Sequence, residues 1–464
     1  MTLDEHVAAL QPQLISALRE ALRFRSTRED PLPGKPFGEG VDGALCHALR
    51  TAQDLGFRTV NVDALVGYAE YGQGDEMVAV LGHLDVVPEG TGWTRDPYGA
   101  EIVDGVLYGR GTLDDKGPTY AALFALAALR DAGIPLRRRL RVLFGTNEET
   151  GCACMEHYVK SGQELPVLGF TPDGSFPIIN AEKGSVKLRL TSEEKAGGTV
   201  TLATLRGAAA VNIVPETAEA VLRGPQKDLA VLRRALVSLA ADRSWPLETE
   251  ETPAELTVRV RGKAAHASLP DHGINAAVRL LRLLGALPVE APWRTAAAAL
   301  GALMNEQSDG AALGIACCDT LSGPLTLNLG LLEVSPGGAL VATLDIRYPV
   351  RQEWSALFPE AERRARELGL SVELLRHSPP LFVDPSSELI QALQRAYTAA
   401  TGQDATLLAI GGGTYARTMP HVVAFGASFP GDPELMHQPD ERISLERLAL
   451  VTRILATAMV ELAQ

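Results

Sequence analysis

Apolar positions at Val7, Leu10, Leu14, Leu18 and Leu22 recur at helical spacing and predict an opening helix from about Asp4 to Phe24. A second helix is predicted over residues 44–55, closed by Gly56. Residues 76–82 form a strand-length segment that is continuously apolar from Met77 onward, and 139–144 and 167–170 read as two further buried strands. Between them, residues 118–130 are rich in Ala and Leu, with Pro in the first turn and Gly133 just past the end, which predicts a strong helix. Alternation of strand and helix implies a parallel α/β sheet. After Lys183 the texture changes. Short alternating strands are predicted at 185–190, 199–205, 218–222 and 256–261, with helices at 227–241 and 275–284. Strands at 325–332 and 340–348, a helix at 353–367 and a strand at 371–375 follow. These mix without strict alternation, as in an α+β domain, and fall into two strand-helix-strand groups, one before about residue 290 and one after it. From Pro385 the α/β pattern returns, with helices at 387–400 and 445–462 and a strand at 421–425. The expected organisation is a discontinuous domain of residues 1–183 and 379–464, interrupted by an inserted domain at 184–378 that is a doubled α+β unit.

Composition narrows the function classes. Hydrophobic residues make up 46% of the 464 and charged residues 22%, so the chain buries a large core without disulfide staples. A net charge of −14 disfavours nucleic acid, because a phosphate backbone attracts Lys/Arg surfaces. The N-terminus lacks a basic segment followed by an apolar one, and no run of eighteen apolar residues occurs, so a cytoplasmic protein without a membrane partner is expected. The five cysteines are too few and odd in number for a disulfide framework. Cys152 and Cys154 have no second pair at finger-like distance and read as small part-buried thiols rather than thiolate ligands.

The chemistry lies where apolar runs end. His83-Leu84-Asp85 closes the 76–82 run, Asp114-Asp115 precedes the 118–130 helix, Glu148-Glu149 follows 139–144, and Asp173 follows 167–170. Ligands bind at the carboxyl ends of strands in open α/β sheets. With His437 these residues make a possible set of two histidines and three carboxylates for a pair of divalent ions, and hard carboxylates with imidazoles suit Zn²⁺, Mn²⁺ or Co²⁺. Asp85, two residues after His83, shares its face and can accept the second ring N–H, fixing the tautomer. A carboxylate in the Gly109–Pro118 loop can offer one oxygen to each ion. Adjacent glutamates allow one to bind metal and the other to take a proton. Each motif also has a plainer reading: a common H-x-D, an Asp that caps a helix, an acidic loop, a turn at Thr171–Gly174 and a surface histidine. The ordered series carries the reading, not any single member.

Residues 80–87, 109–118, 147–151, 262–270 and 411–417 together resemble the dinuclear-metal exopeptidases of the aminoacylase, carboxypeptidase G and succinyl-diaminopimelate desuccinylase clan, and most of all its bacterial dipeptidase V group. The resemblance covers essentially the whole chain. It implies an α/β fold, a mixed and largely parallel sheet flanked by helices, with a large inserted α+β lid. It also implies two divalent ions, Zn²⁺ first with Mn²⁺ or Co²⁺ as alternatives. By this similarity His83 and Asp173 hold one ion, Glu149 and His437 hold the other, and Asp114 bridges them. Asp85 stands behind His83, and Glu148 is the general base. Asp115 is left without a direct role.

The same similarity assigns substrate contacts. His266, in Gly262–Ser268, matches the lid histidine that stabilises an oxyanion, worth ~3–4 kcal/mol for one good donor. Asn212 and Arg347 match positions that hold a substrate carboxylate, for which a planar guanidinium is suited. Read plainly, Arg347 is an ordinary strand-end ion pair. Gly411-Gly412-Gly413-Thr414 lacks the Lys-Ser/Thr of a phosphate loop, and the resemblance assigns Gly412 and Thr414 to the C-terminal end of the substrate. An insertion of about 195 residues matches the doubled lid that supplies its histidine in cis, which implies a monomer acting on dipeptides. The rival expectations are an N-acyl-amino-acid deacylase, a desuccinylase or a carboxypeptidase of the same clan, and, in another class, a non-catalytic metal-dependent binding protein.

Overall fold

The apolar run at 76–82 forms the strand Met77–His83, buried along its whole length. It lies at the centre of a mixed sheet ordered Arg58–Val62, Val66–Tyr71, Arg139–Gly145, Met77–His83, Leu168–Thr171, Val422–Ala424 and Ile178–Glu182. The central pairs are parallel, and antiparallel pairs flank them on both sides. The hairpin Arg58–Val62/Val66–Tyr71 was not predicted; polar Arg58 and Asn61 break the apolar pattern that marks the inner strands. Arg139–Gly145 and Leu168–Thr171 both run parallel to Met77–His83, so the carboxyl ends of all three reach the same edge of the sheet.

This computed structural model describes every residue except Lys195, Ala196 and Ala209. The chain divides into two compact units, one of Met1–Ala181, Phe382–Ala409 and Gly413–Gln464, the other of Glu182–Leu381 and Ile410–Gly412. In the first, the helix Lys116–Asp131 is buried from Lys116 to Leu129 and packs against the helices Leu3–Leu22 and Leu445–Ala463. It also lies close against the central strand: a Cβ on Gly82 would stand 2.0 Å from Thr119 Oγ1. Glycine is therefore required immediately before His83. The Asp115 side chain does not cap this helix by a hydrogen bond to its backbone, and its carboxylate turns toward the sheet.

The second unit contains two antiparallel four-stranded sheets. One is ordered Thr201–Arg206, Thr217–Arg223, Glu255–Arg261, Leu247–Glu251; the other is ordered Thr326–Val334, Leu340–Tyr348, Gly184–Ser192, Leu370–Ser378. The grouping differs from the expectation at one strand. Gly184–Ser192 precedes residue 290 yet pairs with Leu340–Tyr348 and Leu370–Ser378. Its alternating burial fits any half-buried sheet, so the sequence pattern carries no information about its partner. Among the described residues, no helix is long and apolar enough to cross a membrane.

Candidate active site

The three parallel strand ends deliver His83, the Glu148-Glu149 pair and Asp173 to one edge of the first unit. The Gly109–Asp115 loop brings Asp114 to the same place. His83 is fully buried and its Nε2 lies 3.0 Å from Asp114 Oδ1 and 3.8 Å from Asp173 Oδ2. His437 Nε2 lies 2.9 Å from Asp114 Oδ2 and 3.1 Å from Glu149 Oε1. Asp114 thus turns one carboxylate oxygen to each imidazole. Ligand atoms of His83, Asp114 and Glu149 fall within 4.8 Å of one another, as do those of His83, Glu148 and Asp173. Neither group includes a cysteine; Cys154 is buried with its Sγ 2.9 Å from Tyr415 OH.

The surroundings fit a cation. His83 Nε2 is a buried nitrogen aimed at two carboxylates, close to both but well aligned for a hydrogen bond with neither. Burial alone would lower the His83 imidazole, but Asp114 and Asp85 outweigh it and hold it well above the usual value. His437 behaves likewise, raised by Asp114 and Glu149 against the pull of burial. Asp114 is held far below the ordinary carboxylate range, because the two imidazoles overcome its burial. Burial, then the crowd of neighbouring carboxylates, raises Glu148, Glu149 and Asp173. Four acids and two imidazoles, buried at His83 and half exposed at His437, form a donor set of hard oxygen and nitrogen ligands suited to divalent metal ions.

The supporting residues act through different atoms than expected. His83 Nδ1 lies 2.9 Å from the backbone carbonyl of Asp85, with the Asp85 carboxylate farther away at 3.4 Å. That carboxylate instead accepts the backbone N–H of Glu148 at 3.0 Å and of Glu149 at 3.1 Å, so it clamps the turn that carries both glutamates. Asp115, given no role from the sequence, accepts the His83 backbone N–H at 3.0 Å and the Thr119 hydroxyl at 2.9 Å. Burial pushes its carboxyl up to about 7. Arg110, inside the 109–118 motif, and Glu441, four residues after His437, form a fully buried ion pair behind Asp114 that sequence reasoning missed. No local pattern signals that pair; its members are 331 positions apart.

In the second unit, His266 and Asn212 stand side by side: Ile213 forms a β-bridge with His266, and the Ala267 N–H donates to the Asn212 carbonyl at 2.9 Å. His266 Nδ1 lies 2.7 Å from Ser268 Oγ and accepts the Ser268 N–H at 3.2 Å, so in the neutral ring the proton sits on Nε2. Arg347 Nε and Nη2 donate to the two oxygens of Asp345 at 2.7 and 3.1 Å, and its Nη1 donates to the Gly411 carbonyl at 2.8 Å. Lys187 also pairs with Asp345. Burial would raise the Asp345 carboxyl, but Arg347 and Lys187 together hold it below its usual value. Arg347 is therefore in an ion pair, with part of its five-donor fork engaged. Gly411 links this arginine to the histidine segment, since a Cβ there would stand 2.7 Å from Ser268 Cβ. Gly412 belongs to the second unit and Thr414 to the first, where Thr414 Oγ1 accepts the Ala416 N–H at 3.1 Å.

Residues 79–461 match the model of peptidase family M20/M25/M40. A Bacillus subtilis (strain 168) protein provisionally named dipeptidase YtjP is 38% identical over the full length of both chains. A Staphylococcus haemolyticus (strain JCSC1435) protein, provisionally named dipeptidase SH1171, is 32% identical over 99% of this chain and 98% of its own. Among solved structures, human carnosine dipeptidase 1 aligns over 100% of this chain and 98% of its own, with a TM-score of 0.61 at 19% identity. Aminoacylhistidine dipeptidase from Vibrio alginolyticus aligns over 99% of this chain and 98% of its own, with a TM-score of 0.56 at 15% identity. These structures share the fold. The chain belongs to peptidase family M20/M25/M40.

Proposed function

We propose that this M20/M25/M40 peptidase hydrolyses unblocked dipeptides and depends on two divalent metal ions, Zn²⁺ or alternatively Mn²⁺ or Co²⁺. The observation that carries the reading is Asp114, with one oxygen toward His83 and the other toward His437. In this reading His83 and Asp173 hold one ion, Glu149 and His437 the other, and Asp114 both. When bound, such ions acidify water and polarise a carbonyl.

The protein's own residues supply the rest. Glu148, held by the Asp85 clamp on its backbone, accepts the proton of the attacking water. It passes that proton to the amine nitrogen as the C–N bond breaks, so the products are a carboxylic acid and a free amine. His266, with its proton on Nε2, donates to the oxyanion that develops on the scissile carbonyl. Asn212, Arg347, Gly412 and Thr414 receive the C-terminal carboxylate. A cytoplasmic monomer accompanies this reading, the monomer because an insertion of about 195 residues matches the doubled lid that supplies its histidine in cis.

A substrate panel tests the proposal. Ala-Ala-type dipeptides should turn over faster than N-acetylated or N-succinylated amino acids and longer peptides. Preference for acylated substrates would reassign the chain as a deacylase or desuccinylase, and C-terminal trimming of longer peptides as a carboxypeptidase. Metal-dependent ligand binding without turnover would make it a binding protein.

A further inference from the structure

Glu441 is fully buried, and its carboxylate is divided between two tasks. Oε1 accepts the backbone N–H groups of Gly111 at 3.0 Å, Leu113 at 2.8 Å and Asp114 at 3.3 Å. Oε2 accepts Arg110 Nη1 at 2.6 Å. One carboxylate therefore shapes the loop that presents Asp114. Arg110, 1% exposed, faces the other loop. Its Nη1 donates to the Gln438 carbonyl at 3.3 Å, and its Nη2 donates to the His437 carbonyl at 3.3 Å and the Glu89 carbonyl at 3.4 Å. Its guanidinium carbon lies 5.3 Å from the centre of the Trp93 ring.

His437 needs such a hold. Its φ is 63° and that of Asp440 is 56°, both in the left-handed region that non-glycine residues adopt uncommonly and at some cost. The strand Arg442–Ser444, paired with Val106–Tyr108, anchors Glu441 from behind. Beside the Asp114–His437 contact itself and the Gly109 N–H donated to the Glu441 carbonyl, the pair joins the Asp114 loop to the His437 segment from behind: the acid holds the first, the guanidinium holds the second, and each holds the other.

We propose that the Arg110–Glu441 pair is a positioning device that sets the spacing of Asp114 and His437, and thereby the affinity of the ion shared by Asp114, Glu149 and His437. The proposal rests on the two-ion reading above. Neither residue reaches the ligand space itself; both act through the backbone of the residues that do. Outer partners of metal ligands typically change affinity by about 10–100-fold when removed.

The test is metal binding by the metal-free protein, followed by chelator competition with Zn²⁺ or Mn²⁺, after circular dichroism has shown that each variant is folded. Arg110→Lys keeps the charge but loses the fork that reaches several acceptors at once. Glu441→Gln keeps one oxygen acceptor but not the charge. Glu441→Asp, which keeps the charge and shortens the reach by one methylene, is the graded variant should Glu441→Gln fail to fold. Each folded variant should bind the ion assigned to Glu149 and His437 about 10–100-fold more weakly, and the ion assigned to His83 and Asp173, which shares Asp114 but not the His437 segment, with a smaller loss. Folded variants with wild-type affinity for both ions overturn the proposal, as does equal weakening of both. Wild-type protein that binds fewer than two ions contradicts the two-ion reading itself, and the positioning role at the second ion falls with it.

Discussion

Asp85→Asn is the sharpest single perturbation of the site, because it changes charge and one hydrogen-bond acceptor while keeping shape. The wild-type carboxylate, 1% exposed, accepts the N–H of Glu148 on Oδ1 and of Glu149 on Oδ2. An amide keeps only one oxygen and turns its NH₂ against the other N–H. Each hydrogen bond to a charged acceptor is worth about 1.5–3 kcal/mol, and a buried N–H left without a partner costs about 1–3 kcal/mol. The surviving bond also falls to about half its strength once the charge is gone. A net cost of about 2–4 kcal/mol falls on a turn of two residues, and that turn carries both the proposed base and a proposed metal ligand. If the turn relieves the cost by moving, the rate falls by roughly thirtyfold to a thousandfold, at about 1.4 kcal/mol per factor of ten. Steady-state kinetics on a dipeptide at saturating metal should show the loss in kcat, with KM within about threefold of wild type, because neither glutamate is assigned to substrate binding. A folded variant with kcat within threefold of wild type, or with the loss confined to KM, would refute the clamp.

Three further outcomes follow from the same geometry. Glu148→Ala should keep its metal content, measured by elemental analysis, while turnover drops by about 10²–10⁴; unchanged turnover removes Glu148 from proton transfer. His266→Ala should lower kcat by about 10²–10³ with little change in metal content, and a normal kcat would deny it the oxyanion. Metal binding should release protons. Their carboxylate neighbours hold His83 and His437 above the ordinary imidazole value, so each keeps a proton more tightly than a free imidazole and must give it up to become a ligand. Affinity should therefore fall as pH falls, and calorimetry in buffers of different ionisation enthalpy should reveal the release; a buffer-independent enthalpy contradicts it.

The strand ends were legible because the segments at 76–82, 139–144 and 167–170 are rich in apolar residues and each is followed within four residues by an acid or a histidine. The sheet is mixed, and the structure confines the parallel pairs to its centre. What stayed hidden was pairing across distance. Asp85 was placed beside His83 by the two-residue period of a strand, but its carboxylate is engaged 63 and 64 positions away by backbone groups, which carry no side-chain signature. Asp115 and Glu441 escaped for the same reason: both accept main-chain N–H groups, and any residue type can supply those. The strand Gly184–Ser192 shows the limit for topology, since alternation fixes which face is buried and not which neighbour it meets.

Dipeptide hydrolysis at the cluster around Asp114 is proposed to require two ions. The most direct measurement of that requirement is dipeptidase activity of metal-stripped protein titrated with Zn²⁺ or Mn²⁺. No turnover is expected without metal, followed by a rise that saturates at two equivalents per chain. Turnover in the stripped protein, or full activity at one equivalent, contradicts it.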